Sequence, residues 1–211
     1  MSPVKPIVFI VDDDISVRES LESLVFYSGW QSQAFASARE FLARPRPRVP
    51  SCLILDIGLP DLNGLELQER IGADQSDMPI IFITGQGDVP TTVKAMKAGA
   101  IEFLTKPLHN AELLSAIGSA LARSQAALDQ EAGMQTLRDR YASLSRREQE
   151  VMALVAAGLM NKQVGGKLGI SEITVKAHRG SVMRKMEALS LADLVKMAAS
   201  LRLTSDSTDK A

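Results

Sequence analysis

Four short apolar runs, separated by stretches with helical periodicity, limit what this chain can fold into more than any other feature. The runs are rich in β-branched and aromatic residues and show little alternation, which is typical of strands covered on both faces. They span residues 7–11, 52–55, 80–84 and 100–104. Strand followed by helix, repeated along the chain, predicts an α/β fold with a parallel sheet.

The segments between these runs carry apolar residues at helical steps. The steps are marked by Val17, Leu21, Leu24 and Val25, by Leu65, Leu67 and Ile71, and by Val93 and Met96. A weaker strand is expected at residues 33–35, followed by a helix that Ser37 caps. The first half of the chain therefore reads as five strand-helix units. Cys52, the one cysteine, falls in a strand and is expected in the core.

Polar side chains stand at or just beyond the ends of the apolar runs. They are Asp12, Asp13, Asp56, Thr84 and Lys106. Because the carboxyl ends of parallel strands meet at one edge of a sheet, we expect these groups to surround a single crevice. Clustered carboxylates repel one another unless a cation intervenes, and Mg²⁺ suits oxygen ligands. Asp56 is the best candidate nucleophile toward phosphorus, Asp12 and Asp13 are better placed to hold metal, and Lys106 would bind phosphoryl oxygens.

Each of these residues also has an ordinary structural interpretation. The aspartates of the triplet 12–14 can cap the helix that begins near Ile15, and we expect Asp14 to do so. Asp56 can belong to the turn that continues through Pro60 to Gly64, and a single lysine such as Lys106 is usually a solvated charge. For all of these interpretations to hold, five polar residues would each have to stand at a strand end by coincidence.

The strings IVFIVDDD, LILDIGLPDLNG, IIFITGQGD and AIEFLTKP resemble the receiver domain of two-component response regulators. The resemblance implies a flavodoxin-like receiver with Asp56 as phosphoacceptor. It implies Asp13, Asp56 and the carbonyl of Gly58 as Mg²⁺ ligands, with Asp12 assisting through water. It further implies that Thr84 and Phe103 switch with the phosphoryl group, that Lys106 pairs with it, and that the Lys106-Pro107 bond is cis.

The two halves of the chain differ in charge. Residues 1–124 contain 11 Lys and Arg against 15 Asp and Glu, whereas residues 125–211 contain 13 against 10. In the second half, the basic stretch from Ser171 to Met186 suggests phosphate contact, although a solvated helix face is an equal alternative on charge alone.

Spacing in the second half adds to the charge. Apolar residues at 144, 151, 154 and 155 predict one helix, residues 161–168 a second, and Gly169 turns the chain before a third helix that Ser171 caps. Two short helices joined by such a turn predict a helix-turn-helix. On the third helix we expect Ile173, Val182 and Met186 to face the core, and Lys176, Arg179 and Lys185 to face outward.

The string from LSRREQEV to VMRKM resembles the LuxR-type DNA-binding domain, so the whole chain is similar to FixJ and NarL response regulators. The resemblance implies that Lys176 and Ala177 face bases. It implies that the backbone lies near Thr174, His178, Arg179 and Lys185. Gly165 and Gly166 are expected to soften the second helix, and Glu187 replaces a glycine that usually helps to end the third.

These patterns predict a receiver at 1–124, a helical linker at 125–142 that continues the last receiver helix, an all-α helix-turn-helix domain at 143–204 and a disordered tail at 205–211. The resemblance implies a non-enzyme transcription regulator, commonly an activator, that needs Mg²⁺. Its expected partners are a sensor histidine kinase, double-stranded promoter DNA and RNA polymerase. On DNA, a second copy of the chain is expected to form a homodimer with it. Without a signal peptide or an apolar run of bilayer length, we expect a cytoplasmic protein.

Two other classes stay open on sequence alone. One is a small Mg²⁺-dependent phosphatase or nucleotide-binding enzyme, although the chain has no glycine-rich phosphate loop. The other is a DNA-binding or scaffold protein whose receiver no longer responds to phosphorylation.

Overall fold

The computed structural model describes residues 5–74, 78–85 and 89–203. The chain divides into two compact units, Met1–Asp129 and Gln130–Ala211. The predicted disordered tail at 205–211 lies outside the described residues. Within the described part, no helix is both long and apolar enough to cross a bilayer.

The first unit contains one parallel sheet, whose described strands lie in the order β2-β1-β3-β4-β5. The strands are β1 Ile7–Val11, β2 Gln31–Phe35, β3 Ser51–Asp56, β4 Ile80–Thr84 and β5 Glu102–Thr105. The helices are α1 Ile15–Tyr27, α2 Ala38–Ala43, α3 Gly64–Asp74, α4 Val89–Lys97 and α5 Asn110–Ala142. The predicted α/β class is confirmed, and β3 is the central strand.

Alternate residues of the central strands enter two separate cores, one on each face of the sheet. Phe9, Leu53 and Phe82 pack with α2 and α3, whereas Ile54 and Ile81 pack with α1 and α5. This double coverage explains why the strands are apolar throughout. Cys52 is fully buried, and desolvation raises the pKa of its thiol to about 12, so it is a core residue.

One expected boundary at the end of the sheet is wrong. The fifth strand begins at Glu102 and not at residue 100, because the Ala100 N–H donates to the carbonyl of Ala95 and completes the end of α4. The helix predicted from Val93 and Met96 is confirmed as α4, and these two side chains are 44% and 41% exposed. Ala95 is the buried contact instead, since a small side chain lets this helix approach the sheet closely.

The second unit is all-helical, as predicted. It contains the C-terminal part of α5, followed by α6 Arg146–Ala156, α7 Asn161–Leu168, α8 Glu172–Met186 and α9 Leu191–Ser200. Ser145 and Ser171 cap α6 and α8, and Gly169 adopts a left-handed φ of 67° between α7 and α8. The core contains Val151, Val155, Val164, Val175, Val182, Met186 and Leu194.

The expected core position of Ile173 is wrong, because its side chain is 80% exposed. Val175, Val182 and Met186 form the buried face of α8. Successive residues of a helix are separated by about 100°, so a residue two positions before Val175 points roughly to the opposite side. Ile173 therefore does not belong to the core of this unit.

The two neighbouring glycines of α7 have opposite roles. A Cβ at Gly165 would lie 2.8 Å from the carbonyl oxygen of Ile170, whereas a Cβ at Gly166 meets nothing within 4 Å. Gly165 therefore permits the tight turn between α7 and α8, and it does not merely soften the helix.

We expect Gly165→Ala to lower the stability of the second unit by about 1–3 kcal/mol, because backbone atoms must move apart. Gly166→Ala is the matched control and should raise stability by roughly 0.5–1 kcal/mol through its better helix propensity. Hydrogen exchange of the α7 and α8 amides in the full chain measures both effects. Equal effects of the two substitutions would contradict the close approach at Gly165.

Candidate functional site

The predicted polar residues gather at the carboxyl edge of the sheet. Asp12 follows β1, Asp56 and Thr84 are the last residues of β3 and β4, and Lys106 follows β5. The pairing of Thr84 with Thr105 sets β5 in register with β4, and the Lys106 N–H donates to the Thr84 carbonyl at 2.8 Å. The parallel topology therefore brings together groups that are far apart in sequence.

Lys106 links the two buried aspartates. Its ammonium lies 2.7 Å from Asp12 Oδ2 and 3.0 Å from Asp56 Oδ1. Asp12 is fully buried, and Asp56 and Thr84 are almost so. The Lys106-Pro107 bond is cis, as expected.

Burial and charge act against each other in this cluster. Burial alone would lower the pKa of Lys106, but its hydrogen bonds to Asp12 and Asp56 outweigh burial and raise that pKa. Burial raises the pKa of Asp12, and the Lys106 ammonium and the Asp14 N–H oppose that effect. The lysine is thus held in its charged form between two carboxylates.

The other oxygen of Asp56 is held by the backbone of the following loop. Asp56 Oδ2 accepts a hydrogen bond of 2.8 Å from the Gly58 N–H. A Cβ at position 58 would lie only 3.2 Å from the same oxygen. Glycine at this position therefore leaves space beside the candidate nucleophile.

The turn after β1 positions the acidic triplet. Asp12 Oδ1 accepts from the Asp14 N–H at 2.9 Å, and Asp14 caps α1 by accepting from the Ser16 N–H, as predicted. Arg18 donates to the carbonyls of Asp12 and Asp13 at 2.7 and 2.9 Å. Asp12 therefore points into the cluster, while Asp13 is exposed beside it.

The two residues implied as a switch lie on the adjacent strands. Thr84 ends β4, and the half-buried ring of Phe103 on β5 lies 6.4 Å from the ring of Phe82 on β4. Thr84 therefore lies at the carboxyl edge with the cluster, whereas Phe103 lies two register positions further back.

The second unit contains the predicted helix-turn-helix, formed by α7, the turn at Gly169, and α8. Lys176 and Ala177 are exposed on α8, and Lys176 forms an ion pair of 3.3 Å with Glu172. Thr174 is exposed in the first turn, where its N–H donates to Ser171 Oγ. These side chains form one accessible surface of α8.

The other three predicted contact residues are less accessible. His178 and Arg179 are half-buried, and Arg179 Nη1 donates to Asn161 Oδ1 at 3.3 Å. Lys185, expected to face outward, instead lies 2.7 Å from buried Glu148 Oε2 and is 36% exposed. An internal ion pair accounts for its position.

Comparison with known proteins agrees with this geometry. Residues 8–118 match the family model of the response regulator receiver domain, and residues 142–198 match that of bacterial regulatory proteins of the luxR family. The chain is 49% identical to nodulation protein W of Bradyrhizobium diazoefficiens, over 98% of this chain and 91% of that protein. The chain belongs to the two-component response regulators.

Other response regulators are similar over most of their length. The transcriptional regulatory protein FixJ of Bradyrhizobium diazoefficiens is 40% identical, over 90% of this chain and 93% of that protein. A low-resolution structure of the response regulator StyR has a TM-score of 0.83 and 46% identity, and covers 93% of this chain and 99% of that one. A receiver domain combined with a LuxR-type DNA-binding domain makes this response regulator a regulator of transcription.

Receiver domains of response regulators typically bind Mg²⁺. Asp12 and Asp56 outnumber the Lys106 ammonium that they share, and the exposed Asp13 on the adjoining turn adds a further negative charge that a divalent cation would balance. Across residues 5–74, 78–85 and 89–203, however, no three acidic, histidine or cysteine side chains already form a metal-binding group. The donor set fits the ion, while the Lys106 ammonium bridges Asp12 and Asp56.

Sequence reasoning missed two residues that shape the receiver site of this response regulator. Arg18 fixes the turn after β1, but an arginine on a helix surface gives no signal of its own. Gly64 begins α3, where a Cβ would lie 2.7 Å from the Asp56 carbonyl oxygen and 3.2 Å from the Phe82 ring. Its only signal was the glycine after Asn63, which also fits an ordinary turn.

Glu148 on α6 links α6 to α8 in the DNA-binding unit of the response regulator. Its carboxylate accepts hydrogen bonds from Lys185 at 2.7 Å, from Ser181 at 2.5 Å and from the Ser145 N–H at 2.7 Å. The bond from Lys185 contributes most, and together these bonds lower the pKa of Glu148 to about 2.

We expect Glu148→Gln to lower the stability of this unit by about 2 kcal/mol at neutral pH, since hydrogen bonds to a charged group are lost. The folded pKa of Glu148 is below its ordinary value, so its contribution is complete above about pH 4.5 and is lost as the pH falls through about 2. Hydrogen exchange of α6 and α8 across that range measures this difference.

The control is Glu150→Gln, which removes a surface ion pair with Arg147 of 2.8 Å. That change should cost under about 1 kcal/mol. A Glu148→Gln effect no larger than that of Glu150→Gln would show that the buried network contributes little.

Proposed function

We propose that this response regulator accepts one phosphoryl group on Asp56 from a sensor histidine kinase, and that the modified chain binds promoter DNA through α8. The observation that carries the proposal is the bridge of Lys106 between Asp12 and Asp56. A carboxylate held beside a fixed cation at the end of a central parallel strand suits the capture of an anionic group.

In the proposed step, an oxygen of the Asp56 carboxylate attacks phosphorus and forms the new O–P bond. The bond from phosphorus to the donor breaks, and its electron pair leaves with the donor group. The Lys106 ammonium balances the phosphoryl oxygens, and Gly58 leaves room beside Asp56 Oδ2. Beyond this self-phosphorylation and its hydrolysis, both dependent on Mg²⁺, we propose no enzymatic activity.

The Mg²⁺ ion would be held by Asp13, Asp56 and the carbonyl of Gly58, with Asp12 assisting. When bound, it would neutralise the carboxylates and the phosphoryl oxygens so that the two anions can meet. The net charge of the cluster supports this assignment.

Phosphorylation would bias two arrangements of the receiver that already exist. Thr84 would move toward the phosphoryl group and Phe103 would follow, because the two residues lie on paired strands, two register positions apart. The receiver of this proposal spans 1–124, the helical linker 125–142 and the DNA-binding domain 143–204.

On DNA, Lys176 and Ala177 would face bases, and Thr174, His178 and Arg179 would lie near the backbone. We assign Lys185 mainly a structural role in holding α8 against Glu148, because its ammonium is already paired with that carboxylate. We further propose that the protein acts in the cytoplasm as a homodimer on two half-sites, contacts RNA polymerase and activates transcription.

Intact-mass measurement with acetyl phosphate and Mg²⁺ tests the proposed acceptor. We expect one phosphoryl adduct per chain, and none when EDTA removes the metal. A parallel assay with a generic phosphate ester should show no steady turnover. Continuous release of phosphate from that ester would favour the alternative of a small Mg²⁺-dependent phosphatase.

A further inference from the structure

Ile173 is the second residue of α8, and its side chain is 80% exposed. Single exposed apolar residues are common on protein surfaces, so exposure alone decides nothing. What distinguishes Ile173 is the helix on which it lies and the residues that share its face.

Ile173 belongs to a stripe along α8 that also contains Lys176, Ala177 and Gly180, at steps of three, four and seven residues. All four residues are exposed. Such steps place side chains on one face of a helix. This stripe lies away from the buried face formed by Val175, Val182 and Met186.

The stripe has little hydrogen-bonding capacity. Lys176 supplies its one charged side chain, and that ammonium is paired with Glu172 at 3.3 Å. Ala177 ends in a methyl group, and a Cβ at Gly180 would meet nothing within 4 Å. Apolar contact by Ile173 and Ala177 is therefore the main chemistry that this surface offers.

The major groove presents one apolar group on its base edges, the C5 methyl of thymine. The N-terminal residues of a recognition helix are those that contact base edges. Ile173 and Ala177 are separated by about 6 Å along the helix, close to two base steps of roughly 3.4 Å. The two side chains thus match the spacing of nearby bases.

We propose that Ile173 is a specificity-determining residue that packs against a thymine methyl group in each half-site, with Ala177 one turn further along. This inference rests on the proposed function, because it requires α8 to enter the major groove. It adds that the chain selects thymine at a defined position by methyl contact and not by a hydrogen bond.

The first experiment selects bound sequences from a randomised duplex library with the full chain, in the presence of acetyl phosphate and Mg²⁺. Wild type, Ile173→Ala and the control Leu189→Ala are compared, since Leu189 is 94% exposed but lies beyond the end of α8. We expect Ile173→Ala to lose the thymine preference at one position of each half-site. The Leu189→Ala variant should keep the wild-type preference.

The second experiment replaces that thymine by deoxyuridine in the selected duplex, which removes only the methyl group. Wild-type affinity should fall about fourfold, the effect of one buried methyl-sized group. The affinity of Ile173→Ala should not change, because the side chain that meets the methyl group is already absent.

An unchanged thymine preference in Ile173→Ala overturns the inference, as does a loss of affinity that is equal for all sequences. The latter result would instead indicate that Ile173 supports DNA binding in general without contacting a particular base. If wild type selects no sequence at all, the proposed DNA-binding function fails, and that outcome is distinct from failure at Ile173 alone.

Discussion

Asp56→Asn is expected to abolish phosphoryl uptake from acetyl phosphate. An amide has nearly the same shape as a carboxylate, but it lacks the negative oxygen that attacks phosphorus. Lys106 retains its contact with Asp12, so the fold should persist. Intact mass should show one adduct on wild type and none on the variant after the same incubation with Mg²⁺.

The matched control for this substitution is Asp61→Asn. Asp61 lies five residues from Asp56, but its carboxylate accepts from the N–H groups of Ala38 and Arg39 at the start of α2. It should form the adduct as wild type does. Equal adducts on wild type and Asp56→Asn would show that another residue is the acceptor.

The double variant Lys176→Ala with Arg179→Ala is expected to weaken DNA binding about tenfold or more. Both side chains carry positive charge on α8, and each contact to a phosphate or a base edge contributes to affinity. Neither residue belongs to the core, so helical content should not change. Titration of a selected duplex at several salt concentrations measures both the affinity and its salt dependence.

A matched control for this loss is Lys196→Ala, because Lys196 is exposed on α9 and not on α8. We expect the affinity of Lys196→Ala to stay within about twofold of wild type. For the double variant, the slope of log affinity against log salt concentration should become shallower by about 0.9 for each phosphate that the protein no longer neutralises. Similar losses in both proteins would mean that total charge, and not the surface of α8, sets the affinity.

The fold and the main cluster could be predicted because they depend on short-range patterns and one topological rule. Apolar strands alternate with helices, and parallel strands must end at the same edge of the sheet. Asp12, Asp56 and Lys106 therefore converge at that edge, whatever conformation the connecting loops adopt. Caps such as Asp14, Ser37 and Ser171 were also predictable, because a cap is made within a few residues.

The remaining features depend on contacts between distant residues, which periodicity does not encode. Glu148 and Lys185 are 37 residues apart in sequence, and their side chains form an ion pair. This ion pair holds Lys185 against the domain, although the sequence predicted that it faces outward. Gly165 is needed because the Ile170 carbonyl passes close to it. Ile173 is a different case: nine residues separate it from Val182, which is about 180° around α8, so the two side chains lie on opposite faces.

The end of α8 is a further example. Glu187 takes a left-handed φ of 54°, where glycine is favoured, and its carboxylate forms an ion pair with Arg140 on α5. The sequence marked the departure from glycine, but it did not reveal the arginine that contacts this residue.

The central claim is that phosphorylation of Asp56 controls DNA binding by the second unit. The most direct test is the affinity of the full chain for a selected duplex, with and without acetyl phosphate and Mg²⁺, for wild type and Asp56→Asn. We predict that the phosphodonor raises the affinity of wild type and leaves that of the variant unchanged. Wild-type affinity that stays constant after the adduct has been verified by mass would contradict the account.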